Sequence, residues 1–236
     1  MRDEYDRVLY LGFLIGCTAA AVSYVIKKNY TRFNTALEIP KSYFNSKLIR
    51  GIVLDVADGD TIRLYHCPNL KPMWVINREM KLLKQRALFQ NEKKSKGKYK
   101  LSDRTINVRL YGIDAPEIGH FGNANQPLSI ESRDYLKQMI LGKKVTLMPL
   151  KIDIYSRVIG VVNFRSYYFF KKDLSVEMIK NGFAQVYEGQ DLVFHHNINY
   201  LQTLESDAKK KGVGVWSQSK KQYESPRDYK KRIRSN

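Results

Sequence analysis

The sequence contains only two cysteines, Cys17 and Cys67, among 236 residues. Two thiols cannot form the several disulfides that stabilise small secreted scaffolds, and they cannot supply a cysteine-rich zinc site. The four histidines include an adjacent pair, His195 and His196, whose side chains would point in different directions from a helix. We expect that pair to lie at the surface or at a helix end, so the histidines do not suggest a zinc site.

Acidic residues are also few, with 23 Asp and Glu against 41 Lys and Arg, which gives a net charge of +18. A composition that is 43% hydrophobic and 27% charged excludes wholesale disorder, and the length suits one domain with appendages. A large positive excess favours nucleic acid or an anionic membrane as the partner. Composition alone does not separate these two.

Charged residues are absent from residues 8–26, which read VLYLGFLIGCTAAAVSYVI. A helix of these 19 residues would be about 28 Å long, close to the roughly 30 Å hydrocarbon core of a bilayer. Its nine Leu, Ile, Val and Phe residues would favour insertion by at most about 3–5 kcal/mol. Residues 1–26 have a net charge of −1, so the remaining chain carries +19.

Three interpretations of this segment compete. A single-pass anchor is favoured, and the basic residues after it (Lys27, Lys28 and Arg32) would keep most of the protein on the insertion side. A cleaved signal peptide would use the small residues 19–21, and a bacterial lipoprotein signal would acylate Cys17. The acidic residues near the N-terminus disfavour both leaders, because a leader begins with a basic region.

Five short strands and three helices are predicted in the rest of the chain. The first two strands, residues 48–56 and 61–65, form a hairpin through an Asp-Gly turn. The other strands are predicted at 106–113, 144–148 and 157–164, and the helices at 129–141 with Ser129 as the N-terminal cap, at 174–181 and at 196–211. This pattern predicts an α+β fold, with the strands forming a small barrel.

Residues 66–104 separate the second and third strands by more than a hairpin needs. Within them, residues 71–104 hold eleven basic and three acidic residues. One interpretation is a solvated insertion without regular structure. The other is a flexible basic arm that raises the affinity for phosphates. The apolar residues Trp74, Leu82, Leu83, Leu88 and Phe89 indicate that part of it packs.

Three short runs carry the chemistry. Asp58-Gly59-Asp60-Thr61 lies at the hairpin tip, and Asp153-Ile154-Tyr155-Ser156-Arg157 enters the fifth strand. Between them, Arg109-Leu110-Tyr111-Gly112-Ile113-Asp114-Ala115-Pro116-Glu117 follows the third strand to its end. Strand alternation would place Arg109, Tyr111 and Ile113 on one face. The carboxylates suit a hard, oxygen-binding cation, and the two arginines suit an anionic substrate.

These runs, in this order, resemble the staphylococcal nuclease (thermonuclease) family. The resemblance covers about residues 46–217 and ends at Gly212-Val213-Gly214-Val215-Trp216. The apolar N-terminus and the basic insertion resemble the fungal membrane-bound branch, whose members are called probable endonucleases and are assigned to mitochondria. The expected organisation is a tail (1–7), a transmembrane anchor (8–26), a linker (27–45), the nuclease-like domain (46–217, with the insertion 66–104) and a basic C-terminal tail (218–236).

The resemblance implies an OB-fold, five-stranded barrel and Ca²⁺-dependent hydrolysis of DNA or RNA phosphodiesters. Asp60, Asp114 and the carbonyl of Ala115 would bind Ca²⁺, and Asp58 would lie behind these ligands. It also implies that Glu117 is the general base and that Arg109 and Arg157 bind the phosphate. One departure is Ile154, where the best-known member has a lysine that touches a nucleotide phosphate.

The main alternative is a catalytically inactive barrel that binds nucleic acid or protein. Inactive copies in the family generally lose the glutamate or one arginine, and all of these residues are present here. Tyr187 is expected to pack or to stack on a base. Nothing in the sequence indicates a protein partner.

Overall fold

The structure is a computed structural model that describes residues 2–92, 101–119, 122–166, 170–189, 198–219 and 222–235. His120, His195 and His196 lie outside these ranges. Within the described residues the helices are α1 (Arg2–Tyr30), α2 (Met73–Glu92), α3 (Ser129–Ile140), α4 (Leu174–Lys180), α5 (Ile198–Lys211) and α6 (Pro226–Ser235). The strands are β1 (Ile49–Asp58), β2 (Thr61–His66), β3 (Ile106–Leu110), β4 (Ile113–Asp114), β5 (Lys144–Ile152), β6 (Val158–Ser166), β7 (Phe170–Asp173) and β8 (Gln185–Val186).

Five strands close into a barrel. The order is β3-β2-β1-β5-β6, with antiparallel neighbours, and a parallel pairing between β3 and β6 completes the ring. In that pairing Val108 lies opposite Val158 and Leu110 opposite Gly160. The inward positions include the fully buried Val53, Leu64 and Val162, and a register shift between Val53 and Asp55 interrupts the alternation in β1. The predicted α+β class and OB-like five-stranded barrel are confirmed.

Helices α3, α4 and α5 complete the main core, and α5 contributes Leu201. Leu136 and Ile140 lie one turn apart on α3 and are fully buried, as is Met178 of α4. Ser129 was expected to cap α3, and this was wrong: Leu128 occupies the cap position with φ +64°, and Ser129 is buried as the first helical residue. The α4 cap is Asp173, whose carboxylate accepts from the N–H of Ser175 at 2.8 Å.

The predicted third strand is interrupted after Leu110. Tyr111 and Gly112 form a turn, with Gly112 at φ +74°, a conformation that a side chain would strain. Beyond this turn Ile113 returns to the same main core as Leu110, whereas Tyr111 joins a separate small cluster with Leu150 and Val161. The expected alternation of Arg109, Tyr111 and Ile113 on one face is therefore wrong, because it assumed an unbroken strand.

The basic insertion contains α2, which packs outside the hairpin. Ile76 is buried against Tyr65 and Cys67, and Met80 and Leu83 follow it on the same helical face. Leu82 and Trp74 point to solvent, and Trp74 is 69% exposed. The side chains of Leu88 and Phe89, and residues 93–100, lie outside the described part.

Part of the predicted linker packs on the barrel. Phe33, Ala36 and Ile39 are buried in the main core. The ring of Phe33 stacks on His66 with centroids 4.5 Å apart, and its backbone N–H donates to His66 Nδ1 at 2.9 Å. His66 is therefore a structural acceptor.

Among the described residues, one helix is long and apolar enough to cross a membrane. It spans Tyr5–Tyr30 of α1, and its apolar stretch is not buried against the rest of the chain. A membrane anchor and a signal sequence both fit this observation.

Ile76→Ala is expected to lower the free energy of unfolding by about 2–4 kcal/mol, because the missing side chain would leave a cavity. Trp74→Ala, two residues away on α2, is the matched control, and its effect should stay within about 0.5 kcal/mol because Trp74 is exposed. Urea unfolding of the full chain in detergent micelles, followed by circular dichroism, measures both. Equal effects would show that α2 does not pack as described.

Stability should fall as the pH falls from 7 to 4.5. Burial is the main cause that lowers the pKa of His66 to about 4, against about 6.5 in the unfolded chain, and the nearby Arg32 and Arg50 lower it further. The unfolded state therefore binds more protons in this window, and the loss should reach roughly 2–3 kcal/mol. His66→Gln should give a shallower dependence of unfolding free energy on pH. Parallel curves for the two proteins would contradict this.

Candidate active site

Asp60 lies at the tip of the β1–β2 hairpin and is fixed on both sides. Its backbone carbonyl accepts from Leu110 N–H at 2.8 Å, and its Oδ1 accepts from the Thr61 hydroxyl at 2.8 Å. A Cβ at Gly59 would lie 2.7 Å from the Ala115 Cβ and 2.2 Å from Ser132 Oγ. Only glycine allows the hairpin tip to approach Ala115 and α3 this closely.

Asp114, Ala115 and Glu117 follow each other on the opposing segment. β4 pairs with β8, so that Asp114 lies opposite Gln185, and Ala115 is buried. The Glu117 N–H donates to Gln126 Oε1 at 2.9 Å. Gln126 is itself buried, and its Nε2 donates to the carbonyl of Glu224 at 2.6 Å. Gln126 thereby fixes the backbone of Glu117.

The three acidic side chains meet in one cluster. Each of Asp60, Asp114 and Glu117 offers an oxygen within 4.8 Å of the others. Arg109 Nη2 lies 3.1 Å from Asp60 Oδ2 and 2.7 Å from Asp114 Oδ1. The Asp60 and Asp114 side chains are only 4% and 8% exposed. Buried carboxylates this close together require cations, and Arg109 supplies one of them.

The shared burial shifts the pKa values of these groups. Burial raises the pKa of Glu117, the Lys230 ammonium partly offsets this, and Asp60 and Asp114 raise it further. Burial also raises the pKa of Asp58 to about 7, with added repulsion from Asp60 and Glu117. Burial alone would lower the pKa of Arg109, but Asp60 and Asp114 reverse this and raise it.

Arg157 lies beside the cluster, and among the described residues its ion pair is with Asp153. Its Nε donates to Asp153 Oδ2 at 2.8 Å, and Asp153 Oδ1 accepts from the backbone N–H of Arg157. Its Nη1 lies 3.5 Å from Thr61 Oγ1, the hydroxyl that donates to Asp60. Arg157 is thus aimed at the Asp60 side of the site. In the same loop, Ile154 is 90% exposed.

Tyr187 lies against the other arginine. The Arg109 guanidinium carbon is 5.8 Å from the centroid of the Tyr187 ring, and the Tyr187 N–H donates to the Gly112 carbonyl at 3.0 Å. The Tyr187 ring thus packs beside Arg109, and its stacking on a base stays a prediction. The ring supports the position of Arg109.

Lys230 is a site residue that the sequence reasoning missed. Its Nζ lies 2.8 Å from both Asp114 Oδ1 and Glu117 Oε1. It belongs to α6, in a segment that was expected to be a basic tail. The sequence does carry a signal for the helix, since Ser225, Pro226 and Asp228 are typical of a helix N-terminus. In the structure the Ser225 hydroxyl accepts a hydrogen bond from Asp228 N–H at 3.1 Å.

Comparison with known proteins agrees with this arrangement. Residues 107–218 match the family described as staphylococcal nuclease homologue. The probable endonuclease LCL3 of Komagataella phaffii is 37% identical over 213 residues, which cover 86% of each chain. A probable endonuclease of Schizosaccharomyces pombe is 36% identical over 216 residues, covering 86% of this chain and 88% of the relative. The LCL3 of Nakaseomyces delphensis is 33% identical over 256 residues, covering 98% of both.

The chain belongs to the staphylococcal nuclease family. It is a nuclease that hydrolyses phosphodiester bonds, so its substrate is nucleic acid. The similarity to the fungal probable endonucleases extends over most of the chain, as the sequence motifs predicted.

The acidic cluster fits a divalent cation. All its donors are carboxylate oxygens, the ligands that Ca²⁺ prefers. Asp60 Oδ2 is buried and accepts no hydrogen bond of good geometry, although the Arg109 nitrogen lies 3.1 Å away. An oxygen with available lone pairs, aimed among two other carboxylates, is suited to a metal ion.

Proposed function

We propose that the chain is a membrane-anchored, Ca²⁺-dependent endonuclease that cleaves DNA or RNA at the Asp60–Asp114–Glu117 cluster. The observation that supports this is the placement of the three carboxylates within 4.8 Å of one another beside Arg109. Asp60, Asp114 and the Ala115 carbonyl are the proposed Ca²⁺ ligands, with Asp58 behind them. When bound, Ca²⁺ would neutralise phosphate charge and polarise the scissile group.

Glu117 is the proposed general base. Its raised pKa makes the ionised carboxylate a stronger base than a solvent-exposed glutamate. The hydrogen bond from its N–H to Gln126 limits the positions that the side chain can take. Glu117 can then orient a water molecule and accept its proton.

Arg109 and Arg157 are proposed to bind the scissile phosphate from two sides. A phosphodiester repels nucleophiles because it is negatively charged, and that charge grows in the transition state. The guanidinium groups offer several donors in a fixed plane. Asp153 orients Arg157, and Tyr187 with the acidic cluster orients Arg109, so both donors are in place before substrate binds.

The α1 helix is proposed to be a single-pass anchor, with the nuclease domain on the insertion side. Its exposed apolar surface, and the basic residues Lys27 and Lys28 in its last turn, support this. From the resemblance to the fungal membrane-bound branch, the membrane is proposed to be mitochondrial.

Glu117→Gln should lower the rate of DNA or RNA cleavage about 10²–10⁴-fold, because glutamine cannot accept the proton. Chelation should abolish cleavage by the unchanged protein, and Ca²⁺ should restore it. The exposed Glu131→Gln is the matched control and should retain full activity. The assay is nicking of plasmid DNA and cleavage of RNA by the full chain in detergent micelles. A protein that binds nucleic acid with Ca²⁺ and never cuts it would overturn this proposal.

An anchor predicts that the chain keeps Met1 and stays in the membrane fraction after alkaline carbonate extraction. Ala19→Arg should release it, since a central arginine costs about 2.5–3.5 kcal/mol, most of the gain from insertion. Leu37→Arg, outside the span, is the control. A mature N-terminus at Cys17 or Val22, read by mass spectrometry, would instead indicate a processed leader.

A further inference from the structure

The C-terminal segment, defined as residues 222–235, packs directly over the acidic cluster. Tyr229 of α6 is buried, and its hydroxyl donates to the Ala124 carbonyl at 2.6 Å. The Tyr223 hydroxyl donates to Gln185 Oε1 at 2.7 Å, beside Asp114. Together with the bond from Gln126 to the Glu224 carbonyl, these contacts fix the segment against both strands and loops of the site.

Lys230 follows Tyr229 and reaches into the cluster. Its ammonium group bridges Asp114 Oδ1 and Glu117 Oε1, at 2.8 Å from each. Arg109 Nη2 contacts the same Asp114 Oδ1 at 2.7 Å and lies 3.1 Å from Asp60 Oδ2. The three carboxylates are therefore paired with two cationic side chains, Lys230 and Arg109, and each of these two contacts Asp114.

A divalent cation in this cluster would need the same oxygens. Ca²⁺ binds carboxylate oxygens at about 2.3–2.6 Å, and Asp114 is central to the cluster that could hold it. An ammonium 2.8 Å from the same Asp114 oxygen would repel the metal ion at very short range. Lys230 and the divalent cation therefore compete for Asp114.

We propose that Lys230 is a tethered competitor of the divalent cation, and that the C-terminal segment thereby sets the cation concentration at which this nuclease becomes active. The inference rests on the proposed function, in that it takes Asp114 as a metal ligand. Metal binding requires the Lys230 side chain to leave Asp114. Leaving also frees Glu117 Oε1, so that the metal site and the proposed general base become available together.

The test is Ca²⁺ binding by isothermal titration calorimetry, with the full chain in detergent micelles and no nucleic acid. Lys230→Met keeps the aliphatic length and removes the charge, and it should bind Ca²⁺ about tenfold more tightly or better, since charge-assisted hydrogen bonds no longer compete. Lys230→Arg should stay near the original affinity. Lys231→Met, the exposed neighbour on α6, is the matched control and should leave the affinity unchanged.

If Lys230→Met does not fold, Tyr229→Phe tests the same competition between Lys230 and Ca²⁺. It removes the hydrogen bond to Ala124 and should loosen α6, which would raise the Ca²⁺ affinity by a smaller factor. For the nuclease reaction, Lys230→Met should lower the Ca²⁺ concentration giving half-maximal rate and leave the rate at saturating Ca²⁺ unchanged.

Three outcomes would overturn the inference. An unchanged or weaker Ca²⁺ affinity in Lys230→Met would do so while leaving the proposed nuclease mechanism intact. A lower rate at saturating Ca²⁺ with unchanged affinity would mean that Lys230 acts on the phosphate of the substrate. If neither the original protein nor Lys230→Met binds Ca²⁺, the competition and the proposed metal dependence both fail.

Discussion

The structure depends on the neutralisation of three neighbouring carboxylates, two of which are buried. Asp60, Asp114 and Glu117 come from two segments that the barrel brings together, and without cations their mutual repulsion would push the hairpin tip away from the β4 segment. Arg109 joins the two, because one nitrogen contacts both Asp60 and Asp114. Arg109, whose guanidinium is suited to bind phosphate, thus also stabilises the fold. Its substitution would therefore affect stability as well as catalysis.

Local patterns predicted the parts of the site that lie at strand ends. Asp60 and Asp114 follow strand-forming runs, and the Asp-Gly turn and Pro116 mark where those strands end. Lys230 could not be found in this way: it lies 116 residues from Asp114 and is one of seven basic residues after residue 217. Nothing local distinguishes it from Lys231. The packing of Tyr229 places the next residue, Lys230, within reach of Asp114.

Two errors in the fold have related causes. Ser129 has the chemistry of a cap, but the left-handed conformation of Leu128 begins α3 one residue earlier than a serine cap would. The third strand was read as continuous, although Gly112 turns the chain after Leu110. In both places a backbone with positive φ overrides the side-chain preference. Single-residue propensity does not report such conformations, because they depend on tertiary contacts.

The joint between α1 and the barrel is short. Phe33 is already in the core, three residues after α1 ends at Tyr30, and the Asn29 carbonyl accepts from Leu70 N–H at 3.2 Å. If α1 crosses a bilayer as proposed, the short connection keeps the nuclease domain close to the membrane surface. It would hydrolyse only nucleic acid that comes within a few nanometres of that membrane, so encounter would be governed by lateral diffusion and by what is attached to the surface.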